Sequence, residues 1–316
     1  MKICALDLGQ VEDTVYFEER WWKIPHGVKG WSSLNEQLPA QDCEIVLEGR
    51  CAALEIFFEE RPLYSLDPGR SAQIRKALQE PKDDASDART LLQLRQIRPE
   101  LYKRIEVRPP ALQRLRDLVR VRRTLVEQQT QLLQQLQAVG HRGKQPEKKW
   151  LQGFKGSPLE GLVCVLQAVR EQLARIEAHI DREGGQVSAC ATLRSIQGMG
   201  SNLSAEITAE LDAFEPFQDG RQAQAYAGTA PVTLKSGLST KVRIRYRCNH
   251  RARNALYLFA FCSMRFHRWA RDFYDAARQR GKTHSAALLA LANRWVPILL
   301  AMVKNGTPYD PTRRTA

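Results

Sequence analysis

No two of the seven cysteines form a C-x-x-C pair, and none clusters with histidine. Neither a zinc-finger pattern nor a disulfide framework is therefore available, and Cys4, Cys43, Cys51, Cys164, Cys190, Cys248 and Cys262 are expected to be reduced thiols of a cytoplasmic protein. Long unbroken apolar runs are missing too. The most apolar stretch, Ala286 to Val303, contains Asn293, Arg294 and Pro297, which suits a buried helix better than a membrane span. The start of the chain lacks the apolar core of a signal peptide and runs directly into an apolar strand, Ile3 to Leu8. With 15 Pro and 19 Gly among 316 residues, 43% of them hydrophobic and 26% charged, a collagen-like or disordered chain is excluded. The length alone predicts about two domains.

Acidic residues are scarce where basic ones are dense. Lys and Arg total 48 against 35 Asp and Glu, a net charge of +13 that favours a polyanionic partner, nucleic acid before an acidic membrane. The excess is unevenly spread. Residues 1–60 hold five basic residues against twelve acidic ones, a net of −7, whereas Lys235 to Lys282 holds thirteen Lys or Arg against only Asp272 and Asp275. The acidic start is a reason to look for metal-binding carboxylates, and the basic region for phosphates.

Residues 1–104 alternate short β-like runs (Lys2 to Leu8, Thr14 to Glu18, Ile45 to Glu48, Leu63 to Leu66) with helical stretches (Lys29 to Leu38, Cys51 to Glu60), which predicts an α/β domain. Residues 105–184 form a helical middle. Leu118, Leu125, Leu132 and Val139 recur every seven residues, and Leu162, Leu166, Val169, Leu173, Ile176 and Ile180 repeat the pattern as a second coiled-coil seam. The basic, Gly- and Pro-punctuated loop Gly140 to Pro158 makes an antiparallel hairpin the simplest connection, serving as an internal spacer or a dimerisation arm. Residues 185–316 are expected to be mainly helical. There Gly198 and Gly200 form a turn between two helical stretches, either a plain helix-helix connection or a cradle of backbone N–H groups for a phosphate.

Two constellations could carry chemistry. Asp7 in LDLG and Glu48 in LEG end apolar strands, and Asp84 and Asp87 share one face of a helix opened by KDDASDAR. Four converging carboxylates repel one another unless cations neutralise them, and hard oxygen donors select Mg²⁺ or Mn²⁺, two of which can polarise a phosphodiester. Without the strand-end acids, Asp84 and Asp87 would be ordinary first-turn acids favoured by the helix dipole. The second constellation lies within AYAGTAPVTLKSGLSTKVRIRYRCNHRARNALYLFA. Lys241 to Arg247 alternates basic and apolar residues, so as a strand it would turn Lys241, Arg243, Arg245 and Arg247 to phosphates and its other face to a core; Arg251 and Arg253 continue the patch into a helix. Ser236, in a loop beside Lys235, Lys241 and Arg243, could attack a phosphate while the cations stabilise the developing charge.

In order along nearly the whole chain, the LDLG acid, the LEG glutamate, the K-x-D-x-x-DAR helix preceded by LDPGRSAQIRKAL, the coiled-coil middle, the IQGMGSNLSAEI turn and the block AYAGTAP-x4-SG followed by NHRARNAL resemble the DEDD transposases. These are the Piv-like DNA invertases and the bridge-RNA-guided insertion-sequence recombinases. The resemblance implies a RuvC-like (RNase H-like) N-terminal domain, a coiled coil used in oligomerisation, and a C-terminal transposase domain. It assigns the Mg²⁺-binding acids to Asp7, Glu48, Asp84 and Asp87 and the serine nucleophile to Ser236. It further implies a covalent 5′-phosphoserine link to donor and target DNA, a noncoding bridge RNA as guide, dimers assembling to a tetramer, and a bacterial, nucleoid-associated location. The chain departs from the common E-A-T-G pattern at Glu48-Gly49-Arg50-Cys51, Asp83 adjoins Asp84, and Ser239 is a second hydroxyl near Ser236. Two other readings remain: a metal-dependent nuclease or junction resolvase using water as nucleophile, and a non-catalytic nucleic-acid scaffold.

Overall fold

The computed structural model describes residues 2–39, 42–78, 83–106, 108–140, 147–236 and 239–314. The chain divides into two compact units, Met1–Val107 and Arg108–Ala316.

The N-terminal unit is built on six strands: β1 (Lys2–Asp7), β2 (Glu12–Phe17), β3 (Arg20–Pro25), β4 (Cys43–Glu48), β5 (Leu63–Leu66) and β6 (Tyr102–Arg104). They lie in the order β3-β2-β1-β4-β5-β6, with β1, β4 and β5 parallel and the others antiparallel to their neighbours. The helices are α1 (Val28–Gln37), α2 (Ala52–Phe57), α3 (Pro68–Leu78) and α4 (Asp84–Ile97). Alternation along the strands sorts the side chains between two cores. Cys4, Leu6, Val15, Ile45 and Leu47 pack with Trp31 and Leu34 of α1 and Leu54 of α2, while Ala5, Val46 and Leu66 pack with Leu91 of α4 and with Tyr102. Strands β3 and β6 escape the sequence pattern. β3 (RWWKIP) is an edge strand with an exposed basic end, and β6 is only three residues long.

In the C-terminal unit, α5 (Pro110–Val139) and α7 (Glu160–Gln186) pack on each other in antiparallel sense, with α6 (Glu147–Gln152) between them in the chain. Packing concentrates at the two ends of the pair. Leu115 and Val119 meet Ile180 at one end, Leu136 meets Leu166 and Trp150 at the other, and Leu125 and Val126 midway along α5 are half exposed. Val139, the last member of the seven-residue series, is exposed. Helix α7 continues through Gly184 and Gly185 to Gln186.

There follow α8 (Ser188–Arg194), α9 (Ser201–Glu210), α10 (Gly220–Tyr226), the ribbon of β7 (Val232–Ser236) and β8 (Ser239–Arg243), α11 (His250–Ser263), α12 (Arg268–Gln279) and α13 (His284–Asn305). Helix α13 is long and apolar enough to cross a membrane, but Leu291, Trp295, Val296 and Leu299 are buried against Phe259, Leu256 and Phe214. Its apolarity is that of a core helix, as Asn293, Arg294 and Pro297 foretell.

Candidate functional site

The period of two that sorts the sheet also aims two acids. On β1, Ala5 faces α4 and Leu6 faces away, so Asp7 falls on the α4 face; on β4, Val46 and then Glu48 do the same. Because β1 and β4 are parallel, with Leu6 beside Leu47, both acids end at one edge of the sheet. Helix α4 covers that face and begins with Asp84 and Asp87 in its first turn. The adjacent Asp83 has a different task. Its side chain accepts the Ser86 N–H at 2.9 Å and caps the helix, so the capping acid is neither Asp84 nor Asp87. Lys82 of this motif lies outside the described residues. Gly49, directly after Glu48, has φ +75°, a conformation that favours glycine; its N–H donates to Leu66 O and its carbonyl accepts from the Ser65 hydroxyl.

Burial, and then the negative charges of Asp87, Glu48 and Asp84, push the Asp7 carboxyl up to about 6, with Arg75 opposing the rise. Arg75 lies among the acids. Its Nη1 is 3.0 Å from Asp87 Oδ2, its Nη2 is 3.2 Å from Glu48 Oε2, and Ser71 Oγ is 3.4 Å away. Lys23 on β3 reaches Asp84 Oδ2 at 3.1 Å. The donor set is made only of carboxylate oxygens, which fits a hard divalent cation, and Asp7's raised proton affinity comes from its burial first and from the neighbouring carboxylates second. As the side chains stand, however, no three acids or other ligating groups among the described residues form a metal-holding group. Arg75 supplies the neutralising charge and holds Glu48 and Asp87 instead.

Sequence reasoning missed Arg75 as a site residue although it lies in the LDPGRSAQIRKAL segment, because one arginine in a charged helix carries no signal of its own. It also missed Asp13. This fully buried carboxylate accepts from Gly9 N at 3.1 Å and Trp31 Nε1 at 2.9 Å, with His26 Nδ1 at 2.7 Å, and so ties the turn after Asp7 to α1. Its sequence signal is faint: an acid just before the β-like run Thr14 to Glu18, followed further on by a His and a Trp.

In the C-terminal unit, Ser236 is exposed at the end of β7 and pairs with Ser239 across the ribbon. Gly237 of the Ser-Gly pair lies outside the described residues. Lys235 pairs with Thr240, Lys241 with Leu234 and Arg243 with Val232; the side chains of Lys235 and Lys241 are likewise outside what is described. The alternating segment does not form the expected strand with a buried apolar face. Strand β8 stops at Arg243, and Val242, Ile244 and Tyr246 are exposed. The ribbon has only two strands, and none of these side chains joins a core cluster.

Beyond the ribbon the chain is firmly held. Arg253 Nη1 donates to Arg245 O at 3.0 Å, and Asn249 N donates to Tyr226 O at 2.8 Å. Asn249 also caps α11, accepting from Arg251 N and Ala252 N at 3.1 Å, while its amide donates to Glu210 Oε2 at 3.1 Å and Glu210 O at 2.9 Å. Burial works to raise the pKa of Glu210, but hydrogen bonds from Arg120 and Asn249 and the charge of Arg116 outweigh it and hold the carboxyl below its ordinary value. Gly228 of AYAGTAP has φ +67°, and a Cβ there would lie 2.3 Å from Cys248 Sγ, so glycine lets the two segments meet. Arg243, Arg247 and Arg251 are exposed, whereas Arg245 and Arg253 are half buried.

A model of the transposase IS116/IS110/IS902 family matches residues 190–275, which hold Ser236 and the basic segment. A DEDD transposase model of the IS110 type matches residues 51–139, which include Arg75, Asp84 and Asp87; Asp7 and Glu48 precede that stretch. The 43.6 kDa protein of insertion element IS110 from Streptomyces coelicolor is 34% identical over 150 residues, 47% of this chain and 37% of the relative. The 42 kDa protein of insertion element IS900 from Mycobacterium paratuberculosis is 31% identical over 153 residues, 48% and 38% of the two chains. The 44.8 kDa protein of insertion element IS116 from Streptomyces clavuligerus is 36% identical over 128 residues, 39% and 32%. The matched stretches thus span about a third of these relatives' own lengths. Two separate stretches of the chain, 51–139 and 190–275, are thus similar to insertion-sequence transposases of the IS110 and IS116/IS110/IS902 types.

Proposed function

We propose that this chain is a DNA recombinase of an insertion sequence in which a RuvC-like acid site and a serine nucleophile act together. The observation that supports the reading is that Asp7 and Glu48 end two parallel strands under the helix that begins with Asp84 and Asp87, near enough for the charges of Glu48, Asp84 and Asp87 to act on Asp7. The order β3-β2-β1-β4-β5, with β2 antiparallel to β1, is that of an RNase H-like sheet and supports the same reading. The activity, substrates and partners below are proposals for the whole protein.

Asp7, Glu48, Asp84 and Asp87 would hold Mg²⁺, or Mn²⁺ in its place. When bound, the cation supplies charge neutralisation and polarises a phosphodiester. Ser236 Oγ attacks the DNA phosphorus; the Oγ–P bond forms as the P–O3′ bond breaks, the serine proton passes to solvent while the departing 3′ oxygen takes a proton from it, and a 5′-phosphoserine and a free 3′-hydroxyl result. A 3′-hydroxyl then attacks the phosphoserine, restoring the phosphodiester and freeing the serine, so no bond energy is lost to hydrolysis. Lys235, Lys241, Arg243, Arg245, Arg247, Arg251 and Arg253 hold the phosphate backbone and offset the charge that develops. A noncoding bridge RNA pairing with donor and target DNA, and self-association through the half-exposed middle of α5 to give dimers and tetramers, complete the proposal.

Trapping on a denaturing gel tests the nucleophile. Wild-type protein with Mg²⁺ and its element's DNA ends gives a DNA-linked band that Ser236→Ala abolishes. Free cleaved ends that survive Ser236→Ala but not Asp7→Asn would replace this mechanism with hydrolysis by a RuvC-like nuclease, the reading the acid site favours when taken by itself.

A further inference from the structure

Between Asp219 and Asp272 the chain has eleven Lys or Arg and not one Asp or Glu. Among the described residues of this carboxylate-free stretch, Tyr246 is the most exposed of the large apolar or aromatic side chains, at 75%, and it stands between Arg245 and Arg247. An exposed ring is common on a mobile loop, where it is ordered only at an entropic cost. The backbone under Tyr246 is instead held from both sides. Arg253 Nη1 donates to the carbonyl of the residue before it, Cys248 Sγ lies 3.7 Å from its own carbonyl, and Asn249, three residues on, is fixed to Tyr226, Glu210 and the first turn of α11. The ring therefore projects from a rigid support and covers no core of its own. Beside it, Arg245 Nε is buried without a hydrogen-bond acceptor among the described residues.

Phosphates account for the arginines but not for the ring. Nor does paired duplex, whose bases are stacked on each other and present only their edges. A ring fixed between arginines, in a stretch of chain that carries no carboxylate of its own, has the composition of a stacking platform for a base that has left its stack. We propose that Tyr246 is a base-stacking residue for DNA with unstacked bases, the strand running between the exposed Arg243 and Arg251 with one nucleobase on the Tyr246 ring. This deepens the recombinase reading and rests on it, since strand exchange requires DNA bases to part.

The test uses the full chain and a 12-nucleotide single strand carrying 2-aminopurine, alongside the matching duplex. Wild-type protein quenches the single-strand fluorescence on binding. Tyr246→Ala lowers single-strand affinity about tenfold or more, leaves the salt dependence of binding unchanged, and alters duplex affinity less than twofold. Tyr246→Phe, which keeps the ring, restores wild-type binding. Arg243→Gln weakens both substrates and lowers the salt slope by about one. If wild-type protein binds but Tyr246→Ala leaves single-strand affinity intact, or weakens single strand and duplex alike, the stacking role is overturned and the recombinase reading stands. If wild-type protein binds neither DNA, both fall together.

Discussion

The two units hold their proposed reactive groups by opposite means. In the N-terminal unit Asp7 and Glu48 end strands buried in a six-stranded sheet, and α4 brings its first-turn acids over the same face. In the C-terminal unit Ser236 ends a five-residue strand in a ribbon of two, with exposed apolar side chains that join no core. A cluster of like charges is stable only on a frame stiff enough to resist its repulsion, so the acids need the sheet. A neutral hydroxyl needs no such frame and can wait on an exposed strand for the DNA that would complete its surroundings. Position relative to a rigid core thus follows from charge.

The comparison breaks first on activity. Asp7→Asn and Ser236→Ala are each expected to lower strand cleavage by roughly 10³-fold, in line with losing a group that acts only in the transition state. Gel-shift affinity for DNA should change little in either variant. Cleavage that survives one substitution would assign the chemistry to a single unit.

Next comes stability against pH in the absence of divalent cations. Asp7 binds its proton more tightly folded than unfolded, so its favourable contribution is complete below the unfolded value of 3.8 and is lost as the pH rises through about 6. Replacing it by Asn therefore stabilises the protein above about pH 7, by at most about 3 kcal/mol, and has almost no effect near pH 3. Urea unfolding at both pH values measures the gap. An equal effect at both would show that Asp7's carboxylate is not under strain.

Asn249→Ala probes the other unit. It removes the α11 cap and one partner of Glu210 together, and a loss of about 2 kcal/mol in chemical denaturation is expected. Arg75→Gln tests the guanidinium among the acids. Freed from Arg75, Glu48 and Asp87 should bind Mn²⁺ about tenfold more tightly by electron paramagnetic resonance, a change of about 1.4 kcal/mol. Weaker Mn²⁺ binding would mean that Arg75 orders the acids for the cation instead of competing with it. Asp83→Ala should have the smallest effect, about 1 kcal/mol of stability from the lost α4 cap, with Asp84 and Asp87 still present.

The strands that carry the acids were legible because apolar runs ending in a carboxylate are a local pattern, and KICALD and CEIVLE both have it. The two long helices were legible for the same reason, apolar residues recurring within each. Roles that arise only in three dimensions were not. Asp13 gathers partners at Gly9, His26 and Trp31, and Glu210 gathers hydrogen bonds from Arg120 and Asn249 and the charge of Arg116, each set scattered along the chain. The alternation over Lys241 to Arg247 misled because period two predicts two faces without saying that both are covered. Asp83 and Asp84 could be told apart only by the backbone N–H that one of them caps.

The β7–β8 ribbon has one further consequence. Two strands without a third partner are at best marginally stable by themselves, so the amide hydrogens of Val232–Ser236 and Ser239–Arg243 should exchange quickly in the free protein while those of α13 exchange slowly. DNA laid along the ribbon would slow that exchange. Ser236 would then be held in one position only while a substrate is present, and the uncoupled reaction with stray phosphate esters would be disfavoured by the looseness of the strand that carries it.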